Sequence, residues 1–434
     1  MTLKNGAILF SLFLLTAATA LFLSGGKSKS CLILLNSKYF DSTTGGYIAN
    51  KTIVIRKDRI SEILDSENLQ PIAVLKEQCL AVDLTGKFLF PGLIDSHTHV
   101  MALDAQRVSG WKAGMERSAA RPNMTRLFIG KKNAHSMLVA GFTTIRDLGN
   151  SGAFLDSELR TQSLRAPELF PEIIVSGPGI AVAPAQIDLR FNSAEYRIIK
   201  DSSEIDTILA EYKKKNVEWI KLYADNSNKP LGIDKQLLHA LTERAHKMQF
   251  KVAVHALYNE TIANALESEP DSIEHFDEIP SFELPSQTPR PFVVTTDFSL
   301  ATCERIPLND NCSAKLEMLR KRIVWLKQNN FRLVFGSDSI LDFSSNFKSR
   351  GEASLASLIN LAQMGLTPAD ALTAATATAA EMLGLSTGKI QINYIANFVA
   401  YGKNPLEDLS NLKSRTLVVS RGHVICKNQN ECQL

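Results

Sequence analysis

The chain has 434 residues, of which 45% are hydrophobic and 21% are charged. This composition is too apolar for a disordered chain, and the length exceeds what one modest core absorbs. Lys and Arg number 48 against 45 Asp and Glu, a formal net charge of +3. That balance lacks the concentrated positive field used in nucleic-acid binding, and no internal repeat is present. We therefore expect a folded chain, exclude fibres and solenoids, and disfavour a DNA- or RNA-binding role.

The N-terminal region is typical of a targeting segment. Lys4 is followed by an apolar run over residues 7–23, and we predict residues 1–24 to be a signal peptide or an N-terminal anchor. The run is nearly long enough to span a bilayer if it is retained. A buried helix is the remaining alternative. We expect an exported protein of the periplasm or extracellular space. If the leader is not cleaved, residues 7–23 would anchor the protein to the membrane.

The six cysteines are an even number, and an oxidising compartment would let them pair. Two pairs lie close together in polar stretches, so we predict the local disulfides Cys303–Cys312 and Cys426–Cys432. Cys31 and Cys79 remain, either paired with each other or buried as free thiols.

Hydrophobic patterning divides the chain into three parts. Residues 31–90 read as short β-strands separated by turns, and residues 387–434 return to the same pattern. Between them, residues 91–386 alternate short apolar strands with helical, charge-bearing stretches. We predict that the two flanks pair into one small β-sandwich domain beside a central domain of residues 91–386.

The central part contains eight strand candidates, the number that closes a (β/α)8 barrel. The predicted fold class is therefore α/β, a (β/α)8 TIM barrel with a small β-sandwich formed by the flanks. The candidates are LIDSH (93–97), TTIRD (143–147), EIIVS (172–176), EWIKLY (218–223), KVAVH (251–255), DSIEH (271–275), FVVTT (292–296) and RLVFGSD (332–338).

Several chemically active side chains lie where these strands end. His97 and His99, two apart on one strand, face the same side and can reach one ion. His255, His275 and Asp338 end three other strands. Because strand C-termini share one face of a barrel, we expect these five N and O ligands around one cavity. That number suits an open catalytic metal site better than a closed structural zinc.

Lys221 interrupts the apolar strand EWIKLY. A lysine pointing into a barrel is a costly buried cation, but its neutral amine can take up carbon dioxide and become a carbamate, an anionic ligand. Two metal ions about 3.5–4 Å apart need such a ligand to offset their repulsion. In the alternative, Lys221 faces the helices and snorkels to solvent or pairs with Glu218.

Other polar residues receive weaker assignments. Tyr223 shares the strand face of Lys221 and could place its hydroxyl on a substrate carboxylate or oxyanion, with a packed aromatic as the alternative. Arg146 and Asp147 could bind substrate charge, but we favour a structural pair. The remaining histidines are interpreted as structural: His135, His239, His246 and His423.

Taken together, these segments resemble the amidohydrolase superfamily over nearly the whole chain after the leader. The chain carries, in that family's order, PGLIDSHTH, GFTTIRD (141–147), VEWIKLYAD, VAVHA, DSIEH, GSD and a GLTPADALTAATATAAEMLGL helix (365–385). The nearest subgroup is the imidazolonepropionase-like, metal-dependent dipeptidase (carboxypeptidase) type. Two stretches depart from the family pattern, residues 179–186 near the expected substrate pocket and residues 393–397 in the C-terminal flank.

The resemblance implies a role for each of six residues. His97 and His99 would bind the more buried metal ion, His255 and His275 the second. Lys221 would bridge both ions as its carbamate, formed with carbon dioxide. Asp338 would contact the first ion and act as general base and acid. Two divalent ions are expected as cofactors, with zinc the expected metal.

The implied activity is metal-dependent hydrolysis of an amide or peptide-like bond, in a dipeptide or an N-acyl amino acid, by a metal-bridging hydroxide. The alternatives are a mononuclear deaminase or cyclic-amide or lactone hydrolase of the same barrel, and a metal-binding protein without turnover. The expected partner is a small-molecule or short-peptide substrate, and assembly into a homo-oligomer stays open.

Overall fold

The computed structural model describes residues 31–102, 119–182, 194–225, 232–284, 290–297, 311–338, 348–428 and 430–432. The predicted targeting segment and Cys303 lie outside these ranges. Within them, every helix is too short or too polar to cross a bilayer.

The N-terminal flank is mainly β-structure. Its strands are β1 (Cys31–Asp41), β2 (Gly46–Arg56), β3 (Arg59–Asp65), β4 (Leu80–Asp83) and β5 (Phe88–Pro91), with helix α1 (Leu69–Gln78) between β3 and β4. The sequence pattern did not predict α1. It packs against β1 through a small apolar cluster, and a disulfide joins Cys31 to Cys79.

The central part alternates strands and helices and has a mixed α/β fold. Its strands are β6 (Leu93–Thr98), β7 (Phe142–Asp147), β8 (Glu172–Val175), β9 (Gly179–Ala181), β10 (Tyr196–Ile198), β11 (Trp219–Tyr223), β12 (Lys251–Ala256), β13 (Ser272–His275), β14 (Phe292–Thr295) and β15 (Arg332–Phe335). All eight predicted strands are therefore present, and β9 and β10 are additional.

Helices follow most of these strands. They are α2 (Asn123–Val139), α3 (Leu155–Arg165), α4 (Ile205–Lys214), α5 (Lys235–Lys247), α6 (Asn259–Glu267), α7 (Cys312–Gln328), α8 (Arg350–Asn360), α9 (Pro368–Ala374) and α10 (Ala377–Leu383). The expectation of one helix over residues 365–385 is wrong. The chain forms two helices, because the backbone at Thr376 leaves the helical region (φ −138°, ψ −89°) before α10 begins.

The parallel strands lie in two sheets, β6-β7-β8 and β10-β9-β11-β12-β13-β14-β15. Backbone hydrogen bonds connect the two sheets. The Glu218 amide donates to the Val175 carbonyl at 3.2 Å, and the Asp338 amide donates to the His97 carbonyl at 2.9 Å. Every residue of β6 and β11 is buried, because both faces of these strands are covered.

The C-terminal flank adds β16 (Phe398–Tyr401), β17 (Arg415–Ser420) and β18 (His423–Cys426). These strands join the N-terminal flank in one sheet of order β18-β17-β16-β5-β1-β2-β3, with β4 paired to β1. The link is the antiparallel pairing of β5 with β16. The two flanks therefore meet in one sheet, and a second disulfide joins Cys426 to Cys432. Cys312 is disulfide-bonded too.

Candidate metal centre

Five of the six residues singled out in the sequence lie near or just after the C-terminal ends of four parallel strands, and Lys221 lies at the centre of a fifth. His97 is in β6 with His99 just after it, Lys221 is in β11, His255 in β12 and His275 in β13, and Asp338 follows β15. Every imidazole is at least nine-tenths buried, and Lys221 is 1% exposed. The strand order β11-β12-β13 places three of them side by side.

The donor atoms converge. His97, His275 and Asp338 each offer a ligand atom within 4.8 Å of the others. The ring of His255 lies 4.5 Å from that of His275, and His97 lies 5.2 Å from His99, between ring centroids. Four imidazoles and one carboxylate thus surround a single space.

Hydrogen bonds from outside the cluster orient three of the imidazoles. The Nδ1 of His97 donates to the Glu274 carboxylate at 2.7 Å, and the Nδ1 of His99 donates to the Gly149 carbonyl at 3.0 Å. The Nδ1 of His275 lies 2.6 Å from the Thr296 hydroxyl. Because a carboxylate or carbonyl only accepts, the first two rings carry their proton on Nδ1 and direct the lone pair of Nε2 inward.

One contact in the cluster is unfavourable without a cation. In neutral His99 the Nε2 atom is an acceptor, yet it lies 3.3 Å from Oδ1 of Asp338, which is also an acceptor. A positive ion between the two groups would relieve this contact. The donor set, imidazole nitrogen with carboxylate oxygen, is the chemistry that zinc prefers in proteins.

Lys221 projects into the interior beside these residues. Its Nζ is buried and has no hydrogen-bond partner among the described residues. The alternative pairing with Glu218 is not observed, because Glu218 binds Arg160 and the Val175 amide instead. Burial lowers the pKa of Lys221 to about 8, against the opposing effect of Glu274 and Asp338. The neutral amine is therefore accessible near neutral pH.

Burial also keeps three of the four imidazoles uncharged. It lowers the pKa of His97 to about 4 and holds those of His255 and His275 well below their ordinary value, with Lys221 adding to each effect. The pKa of Asp338 is also low although burial raises it, because the adjacent imidazoles stabilise the carboxylate when they carry positive charge, a role that a bound cation would take over. Neutral imidazoles around an ionised carboxylate are the forms that bind metal.

Sequence reasoning missed the residues behind His97. Arg146 donates to Oε1 of Glu274 at 2.9 Å and to Ser272 at 3.2 Å, and Ser272 donates to Glu274 at 2.6 Å. The guanidinium also stacks 4.3 Å from the ring of Trp219. Against burial, which would raise it, Arg146 and His97 hold the pKa of Glu274 far below its usual range. The Arg146–Glu274 pair is fully buried, so the charge of each group is compensated by the other and not by solvent.

The interpretation of Arg146 and Asp147 as a mutual pair is wrong. On a strand, consecutive side chains face opposite sides, so the two groups cannot meet. Asp147 instead accepts the Val100 amide at 2.8 Å and ties the chain just after His99 to β7. The alternation of side chains along a strand, applied to Arg146 and Asp147 and to Ser272 and Glu274, was the sequence signal that could have predicted these contacts.

Tyr223 is buried beside the cluster, with its ring 5.3 Å from that of His255. Burial and a hydrogen bond to Tyr196 raise the pKa of its hydroxyl well above the ordinary value. Tyr223 is thus a neutral hydroxyl next to the donors. The four histidines interpreted as structural are exposed: His135, His239, His246 and His423.

Comparison with known proteins identifies the class. The amidohydrolase family matches residues 88–425, so the chain belongs to this family and is a hydrolase that acts on amide bonds. No curated protein sequence matches it.

Solved structures resemble this one over nearly its whole length. A prolidase in complex with N-methylphosphonate-L-proline is 22% identical, with a TM-score of 0.74, covering 92% of this chain and 100% of that one. A Xaa-Pro dipeptidase with bound methionine is 18% identical, with a TM-score of 0.72 and coverages of 91% and 99%. Molinate hydrolase is 18% identical, with a TM-score of 0.75 and coverages of 92% and 96%. At these identities the likeness shows the fold.

Proposed function

We propose that this protein hydrolyses the amide bond of a dipeptide or N-acyl amino acid with two divalent metal ions, zinc being the expected metal. The observation that carries the proposal is the convergence of His97, His275 and Asp338, whose ligand atoms lie within 4.8 Å of one another. The similar solved structures, a prolidase, a Xaa-Pro dipeptidase and molinate hydrolase, support an amide-like substrate.

The residues present fit a pair of cations. His97 and His99 would hold one ion with Asp338, and His255 and His275 the other. The buried Lys221 nitrogen, without a hydrogen-bond partner in the described part of the chain, would contact both ions as its carbamate. An ammonium there would repel both ions, whereas a carbamate adds negative charge and two oxygen ligands.

When bound, such ions would supply hydroxide at neutral pH and polarise the scissile carbonyl. Asp338 would accept the proton of the attacking water and pass it to the leaving amine. Its low pKa keeps it ionised before the reaction. Tyr223, neutral and beside His255, would donate its hydroxyl to a substrate carboxylate or oxyanion.

The proposal includes the finer architecture. The parallel strands β6–β8 and β11–β15 would close into one (β/α)8 barrel over residues 91–386, supported by the hydrogen bonds that connect the sheet edges at Val175 and His97. Residues 31–90 and 387–434 would form the β-sandwich. In such a barrel the strand C-termini surround one cavity, which is where the candidate ligands lie.

Export is also part of the proposal. The disulfides Cys31–Cys79 and Cys426–Cys432 support it, since disulfides form and persist mainly outside the reducing cytosol. Cell fractionation of the full chain tests it, and a protein found entirely in the cytosol with free thiols would contradict it.

The central experiment combines metal analysis with turnover. Purified full-length protein, freed of metal and reloaded with zinc, is assayed against a panel of dipeptides and N-acyl amino acids. We expect two ions per chain and hydrolysis of part of the panel. One ion per chain together with full activity of Lys221→Ala would favour a mononuclear enzyme instead, and binding without any turnover would contradict the proposed activity.

A further inference from the structure

Two consecutive residues of β13, Glu274 and His275, both face the metal centre. This is unusual, because side chains on a regular strand alternate between its faces. Ser272 and Glu274 follow the alternation and both contact Arg146, while Ile273 points the other way into the hydrophobic core. On the same alternation His275 would follow Ile273, away from the site.

The backbone explains how His275 reaches the site. Its φ is +73°, and φ of the next residue, Phe276, is +57°. Both residues are thus in the left-handed region, which costs free energy for any residue other than glycine and most for bulky ones. The turn at the end of β13 brings the ring centroid of His275 to 5.0 Å from that of His97.

Helix α7 holds this turn in place. Arg322, fully buried on α7, donates from Nη1 to the carbonyls of His275 at 2.9 Å and Phe276 at 3.3 Å. Its Nη2 pairs with the buried carboxylate of Asp297, and Asp277 lies 3.5 Å away.

Phe276 is packed by the same part of the chain. Its ring lies 6.1 Å from Trp325, one turn beyond Arg322 on α7, and 5.4 Å from Phe331. The side chain is completely buried, so packing helps to offset the strained backbone.

We propose that Arg322 is the positioning residue for His275. Its planar guanidinium holds two successive carbonyls in the left-handed turn, while Asp297 fixes the guanidinium from the other side. A lysine cannot replace it, because a single ammonium on a flexible stem does not bind both carbonyls and the carboxylate in one fixed geometry. Without the guanidinium of Arg322, residues 275–276 would relax toward extended backbone, and the imidazole of His275 would turn out of the site.

The inference rests on the proposed two-metal function, and two variants test it. Arg322→Lys keeps the charge. Arg322→Met combined with Asp297→Asn removes the guanidinium without leaving the buried carboxylate of residue 297 unpaired. The control is Arg320→Met, two residues earlier on α7, where the arginine is half exposed and donates to the Gln363 carbonyl.

Two properties of each variant are measured. Zinc stoichiometry and zinc affinity are measured on folded protein by competition with a chelator. Amide hydrogen exchange over residues 274–278 is measured on the metal-free chain. We expect the second ion to bind about tenfold or more weakly in the double variant, with an intermediate loss in Arg322→Lys. The first ion keeps its affinity, and Arg320→Met matches the wild type. The Phe276 amide, which donates to Ala256 and Glu274 carbonyls, should exchange at least about tenfold faster in the double variant.

The inference is overturned if the variants bind both ions with the affinity of the wild type and show unchanged hydrogen exchange. It is also overturned if the affinities for the two ions fall equally. If the double variant does not fold, Arg322→Lys decides alone by the same criteria. A wild-type protein that binds no second ion refutes the proposed function, and exchange at Phe276 in the metal-free chain then still decides whether Arg322 holds the turn.

Discussion

The Nδ1 atom of His97 and a carboxylate oxygen of Glu274 lie 2.7 Å apart, although 177 positions separate them in the chain. The hydrogen bond fixes the tautomer of His97 and leaves its Nε2 free toward Asp338 and His275. Arg146 holds Glu274 from the other side at 2.9 Å. The position of a proposed metal ligand therefore depends on two residues that would not contact the ion.

We expect Glu274→Gln to weaken metal binding by about 10- to 100-fold. The amide can still accept from His97, but its NH2 group then faces Arg146, whose buried charge loses its partner. We expect unfolding free energy to fall by about 3–5 kcal/mol. Chelator competition and urea unfolding measure the two effects. Glu218→Gln, which breaks a pair with Arg160 away from the cluster, should change stability but not metal affinity. Equal metal affinities for the two variants would contradict the role of Glu274.

Lys221→Ala should lose bound metal and most turnover, because alanine cannot form the carbamate that would contact both ions. In the wild type, zinc loading should depend on dissolved carbon dioxide, and ¹³C-labelled bicarbonate should produce a carbamate signal in NMR spectra. Lys235→Ala, at a surface pair with Glu267, is the matched control. Full zinc loading of wild-type protein in buffer free of carbon dioxide, with no carbamate signal, would disprove the modification.

Asp338→Asn should retain most bound metal and lose about 10²–10⁴-fold in kcat, the usual contribution of a general acid–base group. Asparagine keeps a ligand oxygen but cannot accept the proton. Metal content, thermal unfolding and kcat are measured on the same preparation. A variant that keeps full kcat would refute the proton-transfer role, and one that loses all metal would show that Asp338 acts mainly as a ligand.

The pair of His246 and Asp271 should make stability depend on pH. The Nε2 of His246 lies 2.9 Å from the Asp271 carboxylate, and this hydrogen bond raises the pKa of His246, against the opposing effect of burial. Since the folded pKa exceeds the unfolded value of about 6.5, the stabilisation is complete below that value and disappears as pH rises through the folded pKa.

His246→Gln should therefore reduce the urea midpoint more at about pH 5 than at about pH 9. His239→Gln, an exposed histidine on the same helix, should change the midpoint little at either pH. A loss for His246→Gln that is independent of pH would show that its charge does not stabilise the fold.

The two described disulfides should differ in their contribution. Cys31–Cys79 closes a separation of 48 residues and Cys426–Cys432 one of 6. Because loop-closure entropy grows with loop length, replacing the first pair by alanine should cost about 4 kcal/mol and the second about 2 kcal/mol. Urea unfolding of the two double-alanine variants measures this difference. The reverse order would show that the loop-entropy account does not apply here.

Local sequence predicted the strands well. Each of the eight strands is a short apolar run bounded by polar or turn residues, and His97, His255 and His275 mark strand ends directly. Helix α1, strands β9 and β10 and the break at Thr376 were not predicted. These segments are short or exposed, and their structure depends on which neighbours they pack against.

The sequence by itself determined which side chains end the strands, and with them the set of imidazoles, carboxylate and lysine that could meet, because strand polarity brings strand ends to one edge. Only the tertiary structure decided that Glu274, Arg146 and Arg322 support that set. Their partners lie far away in the chain, and the left-handed turn at His275 departs from the alternation of side chains along a strand. Such contacts follow from packing in three dimensions, which no local pattern encodes.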